Sequence, residues 1–223
     1  MRRLLIVAGV NGAGKSTLYE SQPELFNETQ RVNADEISRK NNWDWNNDIL
    51  NLKAMALALK KLKSLQNEHQ SINFETTLAA NKKSYLRIIN KAHNEKYSVD
   101  LLYIGLNSAD LAIKRVDHRV SLGGHGIPES RIRERYIKSL TNLQELIPKF
   151  DNVFVFDNTN TFKEIYIRKS GITKYRDYSS TKWFREIANK IDKPKVSKHL
   201  SENHNSNLEL GDDFLTRNRG HSV

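Results

Sequence analysis

The feature that most constrains this chain lies at its N-terminus, where Leu4-Leu5-Ile6-Val7-Ala8 runs straight into Gly-Val-Asn-Gly-Ala-Gly-Lys-Ser-Thr, from Gly9 to Thr17. Consecutive apolar residues, rich in branched side chains and too few for a buried helix, predict a parallel strand buried on both faces. Gly9, four residues, then Gly14-Lys15-Ser16 fits the spacing of a phosphate-binding loop. A helix beginning near Lys15 would aim its free N–H groups and the positive end of its dipole at that loop. The candidate ATP-binding residues are therefore Gly9, Asn11, Gly12, Ala13, Gly14, Lys15, Ser16 and Thr17. The glycines let the backbone approach a polyphosphate, Lys15 can reach the β/γ-phosphates, and the Ser16 hydroxyl can ligate Mg²⁺. The alternative is a glycine-rich turn that binds nothing, and a strand before with a helix after counts against it.

At 223 residues the chain suits one α/β domain with a tail. The reading is a nucleotide-binding domain over residues 1–178, a closing helix over 179–192 and a polar tail, expected to be disordered, over 193–223. The absence of cysteine fits a reducing, cytoplasmic setting. The opening MRRLLIVAGV imitates a secretory leader, but its apolar run is short and leads into the phosphate loop, so it reads as strand. No apolar run approaches the length of a membrane span. The net charge of +10 invites a polyanion. Its spread over helices, over Arg115 to Arg135 and over Lys163 to Lys198 also fits solvated faces, which argues against nucleic acid as the partner.

Taken in order, strand-like and helix-like pieces alternate. Arg31 to Asp35 predicts a second strand ending in an acid, and Trp43 to Asn47 a loop. Over Asp48 to Glu68, Leu52, Met55, Leu59, Leu62 and Leu65 recur at helical spacing and are expected to face the core. Ser71 to Phe74, Val99 to Leu106 and Asn152 to Phe156 predict three more strands, with helices around Tyr85 to Ala92, after a Ser108 cap, and from Glu129 to Ile147. This alternation implies a mostly parallel five-stranded sheet with helices on both faces. Ligands of such sheets bind beyond the carboxyl ends of the strands, which gathers the phosphate loop, Asp35, Glu75-Thr76-Thr77 and Asp157-Asn158 on one edge.

Four groups of residues could carry chemistry there. Asp35 could accept a proton from a substrate hydroxyl or hold Mg²⁺ through water, or serve as an ordinary helix cap. Glu75, Thr76 and Thr77 suit hydrogen bonding to a polyol, or again a cap. The arginine-rich segment from Arg115 through Gly123-Gly124-His125-Gly126-Ile127-Pro128 to Arg135 reads as a lid, with a charged surface helix as the alternative. On its second helix Ile132, Tyr136, Ser139, Leu143 and Ile147 form the inward stripe, and Arg133 and Arg135 fall roughly 80° to either side of it. Arg119, Arg133 and Arg135 are thus expected to reach inward, and Arg115 and Arg131 to be solvated. His118 and His125 flank the lid without the ligand spacing of a zinc site, and His125 reads as a lid contact.

GVNGAGKST, VNADEIS from Val32, NFETTLA from Asn73, RVDHRVSLGGHGIPESRIRERYIKSL from Arg115 and VFDN from Val155 together resemble the zeta toxin family of P-loop kinases, over about residues 1–160. The resemblance implies an α/β, P-loop kinase-like fold with an Arg-rich lid, ATP with Mg²⁺, and transfer of a phosphoryl group to a hydroxyl of a UDP-N-acetyl amino sugar. It also implies a protein antitoxin as inhibiting partner. On matching positions Lys15 is the loop lysine, Ser16 the metal-ligating hydroxyl, Asp35 the general base and Glu75 the substrate-orienting acid. The lid arginines are Arg119 with Arg133 or Arg135. A kinase of nucleotides, nucleic-acid ends or other sugars, and a regulatory P-loop ATPase, remain the other classes.

Overall fold

The computed structural model describes residues 2–192, so the expected tail over 193–223 lies outside the described residues. The strands are β1 (Arg3–Ala8), β2 (Gln30–Val32), β3 (Ile72–Thr76), β4 (Ser98–Gly105), β5 (Asn152–Asp157), β6 (Lys163–Lys169) and β7 (Ile172–Arg176). The helices are α1 (Lys15–Ser21), α2 (Ala34–Lys40), α3 (Asp48–Asn67), α4 (Lys82–Asn94), α5 (Ala109–Ser121), α6 (Glu129–Leu146) and α7 (Lys182–Ile191). The sheet runs β2-β3-β1-β4-β5-β6-β7, parallel through β5 and antiparallel beyond it. It therefore has seven strands, two more than the alternation predicts. The added pair is a hairpin closed by Ser170 and Gly171, both at positive φ (49° and 80°), which matches the two-residue turn that hairpin twist favours.

β1 is buried along its apolar length and feeds both faces of the sheet. Leu4, Ile6 and Ala8 join one core with α3, α4, the C-terminal half of α6 and α7. Leu5 and Val7 join the other with Leu18 of α1, Ala112 and Val116 of α5 and Ile132 of α6. This is the period-2 alternation of a strand covered on both sides. α7 seats Phe184, Ile187 and Ala188 in the first core, and the Trp183 indole N–H donates to Asp157 Oδ1 at 2.8 Å. Ser108 caps α5 as expected, accepting from Leu111 N. No described helix is long and apolar enough to cross a membrane.

The inward face of α3 differs from expectation. Its buried row is Ala54, Ala58, Leu62 and Gln66, spaced by four, while Leu52 is 71% exposed and Met55 and Leu59 also face outward. Small residues along a row of this spacing let the helix backbone approach its neighbours closely, and that close fit overrides the bulkier leucine stripe one step around the helix. Of the expected stripe only Leu62 is fully buried, with Leu65 packed at the core's margin. Leu62→Ala is accordingly expected to cost about 2–5 kcal/mol in urea unfolding. Leu52→Ala should stay within about 0.5 kcal/mol, and equal losses at the two positions would return the stripe to the core.

Candidate active site

The loop after β1 is built for close approach. Gly14 sits in the left-handed region (φ 98°), and a Cβ there would stand 2.4 Å from the side-chain amide of Asn158. That amide donates to Ala13 O at 2.9 Å, so the far end of β5 braces the loop. Lys15 is only 9% exposed, and its ammonium donates to Gly9 O at 2.7 Å and Val10 O at 3.3 Å. Burial pushes the Lys15 pKa down, while Glu75 and Asp35 act to raise it.

On the wall formed by β2, α2 and β3, the roles that the sequence leaves open separate. Asn33 is the cap of α2, accepting from Asp35 N at 2.7 Å and Glu36 N at 3.2 Å. The Asp35 carboxylate is thereby left to the cavity it lines. β2 ends at Val32, so Asp35 occupies the first turn of α2 rather than the strand. Glu75 is 9% exposed, and its Oε2 accepts from Arg31 Nη2 at 2.7 Å and Asn33 Nδ2 at 2.6 Å. The Arg31 guanidinium in turn lies 3.8 Å over the Tyr19 ring, whose hydroxyl donates to Asn73. The sequence reading gives Arg31, Asn33 and Tyr19 no role in the site. Alternation puts Arg31 and Asn33, the residue after β2, on the same side of the chain, but only the pairing of β2 with β3 sets them beside Glu75. Thr76 and Thr77 line the same cavity, with the Thr76 hydroxyl already paired with Tyr85 OH at 3.0 Å.

The opposite wall carries the lid. Arg119, in the last turn of α5, has Nε and Nη2 buried with no hydrogen-bond partner among the described residues. Arg135 Nη1 donates to Asn11 Oδ1 of the phosphate loop at 3.0 Å. Burial lowers the pKa of both guanidiniums, and Asp35 opposes the shift in each. Arg133 does not join them. It is exposed, bonded to Glu129 and Asp110 at 2.7 Å each, and lines neither cavity. Helical spacing treats Arg133 and Arg135 as mirror positions, but one flank of α6 faces α5 and its Asp110 and the other faces the phosphate loop. Arg115 and Arg131, expected to be solvated, both line the site: Arg115 donates to Thr159 O at 3.2 Å, and Arg131 pairs with Asp48 at 2.6 Å.

Two cavities meet here, one of about 1020 Å³ and one of about 90 Å³, sharing Asn11, Lys15, Asn33, Asp35, Glu75 and His125. The larger takes in Gly12, Gly14, Ser16, Thr17, Arg115, Arg119 and Asn158, the donor set of a polyphosphate site. The orphaned Arg119 nitrogens and the glycine cradle fit a nucleotide, and Ser16 would hold its Mg²⁺. The smaller lies between α2, α3, the end of β3 and the start of α6, on the far side of Lys15. A phosphoryl donor in the first and a hydroxylated acceptor in the second would meet over Asp35.

Comparison with known proteins agrees with this architecture. An uncharacterized protein of Haemophilus influenzae is 28% identical over 134 residues, covering 60% of this chain and 92% of the relative. Among solved structures, AvrRxo1-ORF1:AvrRxo1-ORF2 with sulphate ions superimposes with a TM-score of 0.65 at 14% identity over 84% of this chain. The chain spans 63% of that one. The PezAT toxin–antitoxin system of Streptococcus pneumoniae superimposes with a TM-score of 0.56 at 14% identity, covering 86% of this chain and 85% of that one. At such identities these structures speak for the fold alone, an α/β sheet that is parallel through β5. The family model described as zeta toxin matches residues 2–170, and the chain belongs to the zeta toxin family.

Proposed function

We propose that this chain is an ATP-dependent kinase that phosphorylates a hydroxyl of a small molecule, with a UDP-N-acetyl amino sugar as the leading acceptor. In this reading it acts in the cytoplasm as a toxin restrained by a protein antitoxin. The observation that carries the chemistry is the arrangement around Lys15. Asp35 and Glu75 act on its ammonium from one wall, and Arg119 and Arg135 from the other. A hydrolase needs the cations; the cap-free carboxylate of Asp35, facing the second cavity, is what a kinase adds. The AvrRxo1-ORF1 complex solved with ATP, with a TM-score of 0.60, supports the donor, and the PezAT toxin–antitoxin system supports the partner.

Asp35 removes the acceptor hydroxyl's proton as that oxygen bonds to the γ-phosphorus, and the bond from the γ-phosphorus to the β–γ bridging oxygen breaks to release ADP. Charge growing on the transferring oxygens meets Lys15, Arg119 and Arg135. The Arg119 Nε and Nη2 have no protein partner to give up among the described residues before they meet that charge. Glu75, held by Arg31 and Asn33, is a fixed acceptor for a second hydroxyl of the substrate. Ser16 would hold Mg²⁺, which when bound would neutralise the phosphates further.

The direct test is incubation with ATP-Mg²⁺ and a panel of UDP-sugars, free sugars, nucleosides and RNA ends, with mass detection of one added phosphate. Asp35→Asn keeps the size and removes the basicity, so acceptor phosphorylation is expected to fall by about 10²–10⁴-fold with the ATP dissociation constant little changed. Loss of ATP binding instead would make Asp35 a metal-site residue. Arg119→Ala and Arg135→Ala are expected to lose on the order of 10³-fold or more in kcat, whereas Arg133→Ala, which breaks only exposed ion pairs, should stay within about twofold. Comparable losses at all three would contradict the placement of Arg133.

A further inference from the structure

One large side chain on the acceptor side plays no part in the chemistry above. Trp45 lines the smaller cavity together with Asp35, Glu75 and Thr77. Its loop is held on both sides: Asn51 Nδ2 donates to Trp45 O at 2.8 Å, and Asn47 caps α3 by accepting from Ile49 N at 3.0 Å and Leu50 N at 3.2 Å. The lid meets the same indole. A Cβ on Gly126 would stand 2.7 Å from Cη2 and Cζ2, and the His125 ring lies edge-on at 5.9 Å. An aromatic ring is thus fixed in place at a cavity that also holds the carboxylates of Asp35 and Glu75 and the hydroxyl of Thr77, with the cations of Lys15, Arg131 and Arg135 beside them. That pairing suits a molecule with one apolar face and a hydroxylated edge, such as a sugar ring, whose slightly positive C–H groups are attracted to the negative face of an indole.

Volume narrows the class. About 90 Å³ is well below the roughly 300–1,000 Å³ of pockets that enclose a whole drug-sized ligand, so the cavity takes only part of the acceptor and the rest stays outside. We propose that Trp45 selects the acceptor, stacking on the C–H face of one hydroxylated ring whose reacting edge is turned to Asp35, Glu75 and Thr77. This rests on the kinase reading and narrows its acceptor to a cyclic polyol or a conjugate that presents one. Because the lid loop closes on the same indole, Trp45 also links the seated ring to the loop that leads into α6 and Arg135.

The test compares the full chain with Trp45→Ala and Trp45→Phe in steady-state kinetics with ATP-Mg²⁺, using N-acetylglucosamine, UDP-N-acetylglucosamine and acyclic glycerol. Binding of the same probes is measured by calorimetry without ATP. Loss of the indole face is expected to raise KM and Kd for the ring probes by about 2–10-fold. The KM for ATP should stay within about twofold, Trp45→Phe should restore most of the ring affinity, and glycerol should be indifferent to both substitutions. Unchanged ring affinity in Trp45→Ala, or equal losses for ring, glycerol and ATP, would make Trp45 a packing support of the lid and overturn the proposal. If the parent phosphorylates no probe, the acceptor side of the kinase reading fails while calorimetry still decides. Ring probes that bind the parent more tightly than Trp45→Ala would uphold the role of Trp45, and ring probes that bind neither or both equally would overturn it.

Discussion

A buried ammonium sets the terms for the rest of the molecule. The Lys15 side chain is withdrawn from water, which penalises its charge, and the fold compensates with two loop carbonyls nearby and two carboxylates further off. Both carboxylates come from the β2–α2–β3 side of β1, Asp35 from α2 and Glu75 from β3, and the competing guanidiniums come from helices that follow β4 on the other side. Parallel strands make this convergence possible, because all of their carboxyl ends share one edge while right-handed crossovers carry the helices away from it. The strand order with β1 in the middle of the parallel set is what allows one lysine to be reached from both flanks.

Within that arrangement the polar groups divide by whether their bonding is already satisfied. Glu75 has two donors, Asn33 spends its carbonyl oxygen on a helix cap, and the Thr76 hydroxyl has Tyr85. These groups are fixed, and a fixed acceptor is useful for orienting a substrate at little reorganisation cost. Arg119 and Asp35 keep bonding to spare, one with buried nitrogens lacking partners among the described residues, as the Nε of Arg31 also does, and the other relieved of capping by its neighbour. A buried donor without a partner carries a desolvation cost that an arriving anion would repay. In the proposed reaction the phosphates would complete the bonding of Arg119 and the acceptor hydroxyl that of Asp35.

Much of this was legible before any coordinates. The phosphate loop was legible because strand, glycines and helix must follow one another locally, and the edge that gathers Asp35, Glu75 and Asn158 followed from a general property of parallel sheets. The hairpin of β6 and β7 carried a signal too, Ser170-Gly171 between two alternating runs, but its strands are short, charged and at the sheet margin, where apolar periodicity is weak. The α3 stripe failed for a different reason. Leucines at helical spacing mark an amphipathic helix, yet the row of Ala54 and Ala58 allows a closer approach, and only the partner surface decides which row wins.

The same limit explains the arginines. Position on a helix fixes the angle of a side chain but not what stands opposite it, and for Arg133 and Arg135 the angles are equivalent by symmetry about the inward stripe. What differs is the neighbour: a carboxylate on α5 neutralises Arg133, whereas an amide oxygen of Asn11 receives Arg135 without cancelling its charge. A guanidinium bonded to a neutral group keeps its field for an arriving anion, and one paired with two carboxylates has little left to offer. The pairing partner, more than the direction in which the side chain points, thus separates a lid arginine able to act on phosphate from one that holds two helices together.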